Sequence, residues 1–393
     1  MIDGVRVGLF GTGFIAREAF RMLAQRSDMT VVKALTRRPL DSIGWLDPAR
    51  ATHSVDEVIE AADIIFDATG DPIHSTVAVE AALRAGRKVV TMNSELHVTT
   101  GSYLAGLGYL TEADGDQPGA TALLEREARE LGFTPLAFVN VKGFLNPDPT
   151  RAEMEYWSVR QQLSLAETTS FTDGTKLQIE QAFTANALGA TLARPGMVGP
   201  KAETIHDTDM LVEAARRAGG PISDYVLCPG APPGVFILAD HPVAGLNMKY
   251  GPYEKLLTTG RNAFVLLRPY HLCGLEIPKS LRAVADGAPP LMTNGPVPRA
   301  SIRAIAKRDL AVGEHIAHPI GGFDLRGEAI NAIDQPDHVP LGLLYGARFR
   351  RAVPTGDPIT FDDVELPESR ALDIWLNDLR PLIEEPALKV GSG

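Results

Sequence analysis

Hydrophobic and polar positions along the chain change their period several times. "VRVGLF" is a short apolar run, followed by a glycine-containing turn and then "FIAREAFRML", whose apolar residues recur at helical spacing. "MTVVKALTRRP" reads as a second strand, and "ADIIFDATGDPIHSTVAVEAALRAGRKVVTMNSE" repeats strand, helix, strand. From about residue 111 the pattern alters. "TEADGDQPGATALLEREARELGF" places Asp114, Asp116 and Gln117 ahead of a helix, and "FTPLAFVNVKGFLNPDP" gives a strand ending in Asn140, Lys142 and Gly143. Further on, Leu177, Ile179, Ala182, Phe183 and Leu188 define the apolar face of another helix. "GRNAFVLLRPYHLCGLEIP" is an apolar strand leading into Arg268 and His271. The last quarter breaks into short strands with Gly and Pro turns, a compact, mostly β module near residues 298–370. "EEPALKVGSG" has the composition of a disordered tail.

The first third carries the clearest chemistry. Gly11-Thr-Gly13-Phe14-Ile15-Ala16 lies between a strand and a helix, the context a dinucleotide fingerprint requires. Gly11 allows the tight turn, Gly13 lets the backbone approach a pyrophosphate, and Ala16 lets helix pack on strand. Phosphates would sit at the helix N-terminus, with Phe14 and Ile15 beside them. The second strand ends in Thr36, Arg37 and Arg38, where an NAD enzyme usually has an acidic residue. Arginines there suit a 2′-phosphate, so NADP(H) is favoured over NAD(H). Thr69 and Gly70 lie in a loop at a strand's C-terminal end, where open parallel sheets bind ligands. Asn93 and Glu95 close the next strand at the same rim, placed either to reach nicotinamide or substrate or to cap the next helix.

A second set of polar residues gathers in the middle of the chain. Lys142 ends an apolar strand. Asp173, Lys176 and Glu180 stand three and four residues apart, near one side of a helix entrance. Thr172 or Asp173 can cap that helix, and Gly174 permits a tight turn. A Lys176–Glu180 pair is in the weaker order for helix stability, which makes a surface salt bridge a poor reason for the arrangement. Arg268 can grip phosphate or carboxylate, and His271 can move protons near neutral pH.

Bulk properties narrow the function classes. With 393 residues, 45% hydrophobic, the chain can bury two or three domains. A formal net charge of −11 and a pI near 5.4 argue against nucleic acid as a partner. Two cysteines, Cys228 and Cys273, are too few for a disulfide framework or a zinc site. No apolar run approaches the roughly 20 residues of a membrane span, and "MIDGVRVGLF" enters a strand without a signal core, so a soluble, cytoplasmic protein is expected.

Taken in order, "DGDQPGA", "VNVKGF", "SFTDGTKLQIEQAFTANALG", "RPGMVGP", "PPGVFILAD", "RPYHL" and "AIAKRDLAVGE" resemble the SAF-domain oxidoreductases with a homoserine-dehydrogenase-like nucleotide domain. That family includes 1-deoxy-D-xylulose 5-phosphate reductoisomerase-like enzymes and apionate oxidoisomerases. The resemblance spans nearly the whole chain. It implies an α/β protein with a Rossmann doubly wound parallel sheet at residues 1–138. A central α+β catalytic and dimerisation domain at 139–297, a small β-rich SAF domain at 298–372 and a tail at 373–393 would follow. It implies NAD(P)-linked hydride transfer, coupled in some members to carbon-skeleton rearrangement of a sugar phosphate or polyhydroxylated acid, and a homodimer. Lys142 and Lys176 then become oxyanion stabilisers and proton donors. Asp173 and Glu180 become bases or metal ligands for Mg²⁺ or Mn²⁺, and Arg268 and His271 hold the substrate's anionic end. The segment "YEKLLTTGRNAFVLL" departs from the glycine-rich run usual in the family. A plain dehydrogenase and a non-catalytic NADP sensor are the competing classes.

Overall fold

The computed structural model describes residues 4–243 and 251–384. Strands β1 (Val5–Phe10), β2 (Met29–Leu35), β3 (Ala51–Thr52), β4 (Ile64–Asp67), β5 (Lys88–Thr91) and β6 (Leu110–Glu112) form one parallel sheet. Its order is β3-β2-β1-β4-β5-β6, the doubly wound arrangement in which the strand order reverses between β1 and β4. Helices cover both faces, which is why β4 is buried along its whole length and reads as an unbroken apolar run. One face packs on Ala19 and Leu23 of helix Phe14–Leu23 together with Ile277, Leu281 and Val284 of helix Cys273–Ala285. The latter comes from far along the chain, and it carries the residues after His271 back onto the parallel sheet. The other face packs on Val58 and on Ala78, Val79 and Ala82.

A second, mixed sheet follows, built from β7 (Thr134–Lys142), β8 (Ile222–Leu227), β9 (Val235–Asp240) and β10 (Phe264–Arg268) in the order β10-β9-β7-β8. β8 runs parallel to β7, while β9 is antiparallel to both β7 and β10. Alternation along the strands serves two cores. Val139, Val141 and Leu238 meet helix Asp209–Ala218, while Phe138, Ile237 and Ala239 face Ala128 of helix Gln117–Glu130. The last part of the chain adds two antiparallel pairs, β11 (Ala300–Ala306) with β12 (Leu325–Asn331), and β13 (Arg348–Phe349) with β14 (Val364–Glu365). Residues 370–384, at the start of the expected tail, are helical and bury Trp375. The end of the tail, from 385, lies outside the described residues. Among the described residues no helix is long and apolar enough to cross a membrane.

The helix expected to begin at Leu177 spans Thr175–Leu188 and joins all these parts. Its spacing predicts one buried apolar face, but Leu177 to Ala185 are buried on every side. Several of its polar residues bond to neighbouring elements. Gln178 accepts from Ala329 N at 2.8 Å, Gln181 donates to Phe138 O at 3.1 Å, and Thr175 Oγ1 accepts from Gly327 N at 2.9 Å. A polar residue in such a helix marks a contact with another domain, which periodicity alone does not reveal. Gly174, at φ +86°, separates this helix from helix Leu165–Thr172.

Candidate functional site

A cavity of about 1010 Å³ opens between the two sheets. Gly11, Gly13, Phe14, Ile15, Thr69 and Gly70 line one side. Glu95, Gln117, Lys142, Lys176, Glu180 and His271 line the other. The glycine loop is shaped by close approach. Gly11 has φ +95°, and a Cβ there would fall 2.8 Å from the Ala68 carbonyl oxygen. At Gly13 a Cβ would meet nothing within 4 Å, so the backbone faces open space. Helix Phe14–Leu23 starts there with no side-chain cap and no acidic residue in its first turn. Its first N–H groups and positive dipole end are left for an anion. These features fit the pyrophosphate of a dinucleotide.

The rest of the expected cofactor set divides by role. Arg38 donates to the Thr12 carbonyl and, at 2.8 Å, to Thr12 Oγ1, laying its guanidinium along the glycine loop. Arg37 is more exposed and lies 3.1 Å from Asp71 Oδ2. Thr69 Oγ1 donates to Asp67 at 2.8 Å and accepts from Asn93 Nδ2 at 3.0 Å. Burial pushes the Asp67 carboxyl above its usual range, against the pull of Thr69, Thr91 and Ser75. Asn93 is buried, and its Oδ1 accepts from Leu96 N at 3.0 Å. It caps the short helix Ser94–Leu96 rather than lining the cavity. Glu95, two residues on, does line it.

Across the cavity, four elements deliver one polar cluster. Lys142 ends β7, Gln117 begins helix Gln117–Glu130, Glu180 lies on helix Thr175–Leu188, and His271 follows β10. With the Gln117 amide turned so that its nitrogen donates to Glu180 Oε2 at 3.0 Å, its oxygen accepts from Lys142 Nζ at 3.0 Å and His271 Nε2 at 3.3 Å. A carboxylate on one end and an ammonium on the other set that orientation. Asn140 Nδ2 also donates to Glu180 Oε2 at 3.2 Å, and Lys142 Nζ lies 3.9 Å from the same oxygen. Burial and the nearby Asp116 and Glu95 raise the Glu180 carboxyl to about 7, in spite of Lys142 and Lys176. A carboxyl poised there can exchange a proton at neutral pH.

Lys176 does not pair with Glu180 along its own helix. Its ammonium reaches Glu95, at 3.2 Å and 3.1 Å from the two oxygens. Burial would lower its pKa, but Glu95, Asp116 and Glu180 together hold it above the ordinary lysine range. Behind this pair, His97 Nε2 lies 3.2 Å from Glu112 Oε2, both fully buried. Burial, reinforced by Lys176, drops His97 to about 3, and burial raises Glu112 well above the carboxylate range.

Two expected site residues are committed elsewhere. Asp173 Oδ2 lies 2.6 Å from Lys307 Nζ, both buried, and Asp173 Oδ1 accepts from Thr175 N at 2.9 Å. The carboxylate ties the helix start to the C-terminal module and is not among the cavity-lining groups. Arg268 is bonded to Glu276, which also accepts from Leu272 N at 3.0 Å. Its charge is spent locally, and it does not line the cavity. Conversely, Asp116, Gln117 and Cys273 line the cavity although the sequence suggests no role for them. The only signal is the polar run ahead of a helix. Burial, with Asp116 and Glu180, pushes the Cys273 thiol up to about 12.

Residues 11–115 match the family described as homoserine dehydrogenase, NAD binding domain, and residues 115–277 match oxidoreductase DRL, catalytic domain. No curated protein matches the chain. Among solved structures, S. aureus homoserine dehydrogenase at pH 8.5 is 17% identical over 34% of this chain and 41% of its own, with a TM-score of 0.25. Biliverdin reductase from Synechocystis sp. PCC 6803, solved with biliverdin and NADP⁺, is 22% identical over 37% and 49%, with a TM-score of 0.29. UDP-N-acetylglucosamine 3-dehydrogenase from Acidithiobacillus ferrooxidans is 15% identical over 75% and 93%, with a TM-score of 0.43. The chain spans half or less of the first solved structures it matches, covering 50%, 41% and 49% of them. Overlaps this limited carry no argument about the reaction. The two family matches adjoin, one describing an NAD binding domain over residues 11–115 and the other an oxidoreductase catalytic domain over residues 115–277.

Proposed function

We propose that this enzyme uses NADPH to reduce a small polyhydroxylated substrate, a sugar phosphate or sugar acid, and couples hydride transfer to rearrangement of the carbon skeleton. The Lys142–Gln117–Glu180–His271 cluster facing the glycine loop carries the reading. Hydride transfer alone needs one proton donor. This wall offers a base near neutrality and two ammonium groups, the set needed to ionise one hydroxyl and hold two oxygens at once.

In this mechanism the nicotinamide supplies hydride when bound. Glu180 takes the proton of a substrate hydroxyl. The electron pair released at that oxygen makes a carbonyl as the adjacent carbon–carbon bond breaks. Lys142 and Lys176 hold the oxygens of the two fragments while a new carbon–carbon bond forms. The carbonyl so produced is reduced, and Lys142 protonates the resulting alkoxide. Gln117 keeps Lys142 and Glu180 in register, and His271 takes the position at the substrate's polar end. Arg268, neutralised by Glu276, stays out of this scheme. The NADPH preference rests on Arg38 beside the glycine loop and on Arg37 beside Asp71. A SAF-type C-terminal module and a homodimer complete the proposal.

The test is NADPH oxidation with 1-deoxy-D-xylulose 5-phosphate and, in parallel, with linear and branched sugar acids, NADH serving as control. Carbon NMR of the product reads the skeleton. A rearranged product supports the reading. Turnover with an unchanged skeleton replaces it with plain dehydrogenation on the same site.

A further inference from the structure

Asp116 and Cys273 have no part in the proton chemistry above, yet both face the cavity beside His271. One donor atom from each of the three, a carboxylate oxygen, an imidazole nitrogen and a sulfur, lie within 4.8 Å of one another. They come from two elements brought together by packing. Asp116 stands just ahead of helix Gln117–Glu130, and Cys273 opens the helix that returns to the nucleotide-binding sheet.

The hydrogen bonds around His271 give this cluster a direction. Lys142 and Glu180 fix the Gln117 amide with its oxygen towards His271 Nε2, at 3.3 Å, so Nε2 must carry a proton. Nδ1 is the ring nitrogen on the Cys273 side. It faces the Gly115 carbonyl oxygen at 3.3 Å and Cys273 Sγ at 3.8 Å. An imidazole whose far N–H is held by a carbonyl, with its other nitrogen 3.8 Å from a cysteine sulfur, is an arrangement found at metal centres. The spacing agrees. Metal–sulfur and metal–nitrogen bonds of about 2.3 Å and about 2.05 Å at a tetrahedral angle put the two donors about 3.6 Å apart. Asp116 is buried, and its Oδ1 accepts from Gln117 N at 3.0 Å.

We propose that Asp116, His271 and Cys273 form a three-ligand site for a divalent transition metal of the zinc, cobalt or ferrous type, its remaining coordination open to the cavity. A mixed O, N and S set is softer than Mg²⁺ or Mn²⁺ prefer. On binding, the Cys273 S–H bond breaks, sulfur keeps the electron pair and bonds the metal, and the proton leaves to solvent. The two-cysteine count, which speaks against a zinc site, does not bear on one that draws its other ligands from Asp and His. The site does not rest on the proposed rearrangement.

The test uses the full-length enzyme after chelator treatment, titrated with Co²⁺ under anaerobic conditions. One equivalent should bind with a thiolate-to-cobalt charge-transfer band. The band should vanish in C273S, and H271Q and D116N should each weaken cobalt binding by more than about tenfold. Circular dichroism and the melting midpoint report whether each variant is folded, and C273A gives a second way to remove the sulfur. No band at saturating cobalt in the native enzyme overturns the proposal and assigns the Nδ1 position to a proton. A band that persists in C273S also overturns it, moving the thiolate to Cys228. Neither readout depends on turnover, so failure here is distinct from failure of the proposed reaction.

Discussion

Lys176 on the central helix holds its ammonium 3.1 Å from Glu95, which follows the fifth strand of the nucleotide-binding sheet. The bond crosses the cavity floor and joins the two halves of the site. Both side chains are largely buried, so removing one leaves the other charged in a poor solvent. E95Q should therefore lower stability by about 3 kcal/mol in urea denaturation at neutral pH. The double variant E95Q/K176M should recover most of that loss. A single variant within about 0.5 kcal/mol of the native protein would mean the pair does not hold the halves together.

Glu180 gives a prediction in pH. Its carboxyl is raised from 4.5 to about 7, so the folded protein binds a proton there that the unfolded chain has lost. Stability from this group is complete below about 4.5 and declines as pH rises through about 7. Melting midpoints of the native enzyme should fall over that window, and those of E180Q should fall less. Activity should run the other way, since the base must be ionised. The ratio kcat/KM should drop below about pH 7, and E180Q should lose about 10²-fold or more in kcat. An unchanged pH profile in E180Q would remove Glu180 from the chemistry.

Asp173 separates structure from catalysis. Its partner Lys307 is 2.6 Å away and both are buried, so D173N should destabilise the protein by about 3 kcal/mol while leaving kcat within about threefold at a temperature where it stays folded. The contrary pattern, native stability with abolished turnover, would restore Asp173 to the catalytic set.

Arg38 tests the choice of coenzyme. R38L should raise KM for NADPH by about tenfold to a hundredfold, the worth of one charge-assisted contact, and leave KM for NADH nearly unchanged. Equal losses with both coenzymes would instead assign Arg38 to holding the glycine loop through Thr12.

Local chemistry makes several features legible in the amino-acid order. Gly11 and Gly13 sit between a strand and a helix, and the loop they form is specified by backbone stereochemistry over six residues. Lys142 ends a strand whose apolar run is plain in the sequence. Local spacing misleads where a side chain's partner lies far along the chain. Asp173, Lys176 and Glu180 look like one constellation, yet they part towards Lys307, Glu95 and Gln117.

The amino-acid order by itself determined the parallel nucleotide-binding sheet, the glycine loop and the strands that present Lys142 and Arg268, because these follow from periodicity and turn stereochemistry within short windows. Only the tertiary structure decided that the central helix is buried on all sides. It also neutralised Arg268 on Glu276, and it brought Asp116 and Gln117 against His271 and Cys273. The last of these depends on helix Cys273–Ala285 docking on a sheet formed more than a hundred residues earlier. Burial then fixes which charges must find partners, and the sequence pattern carries no record of that geometry.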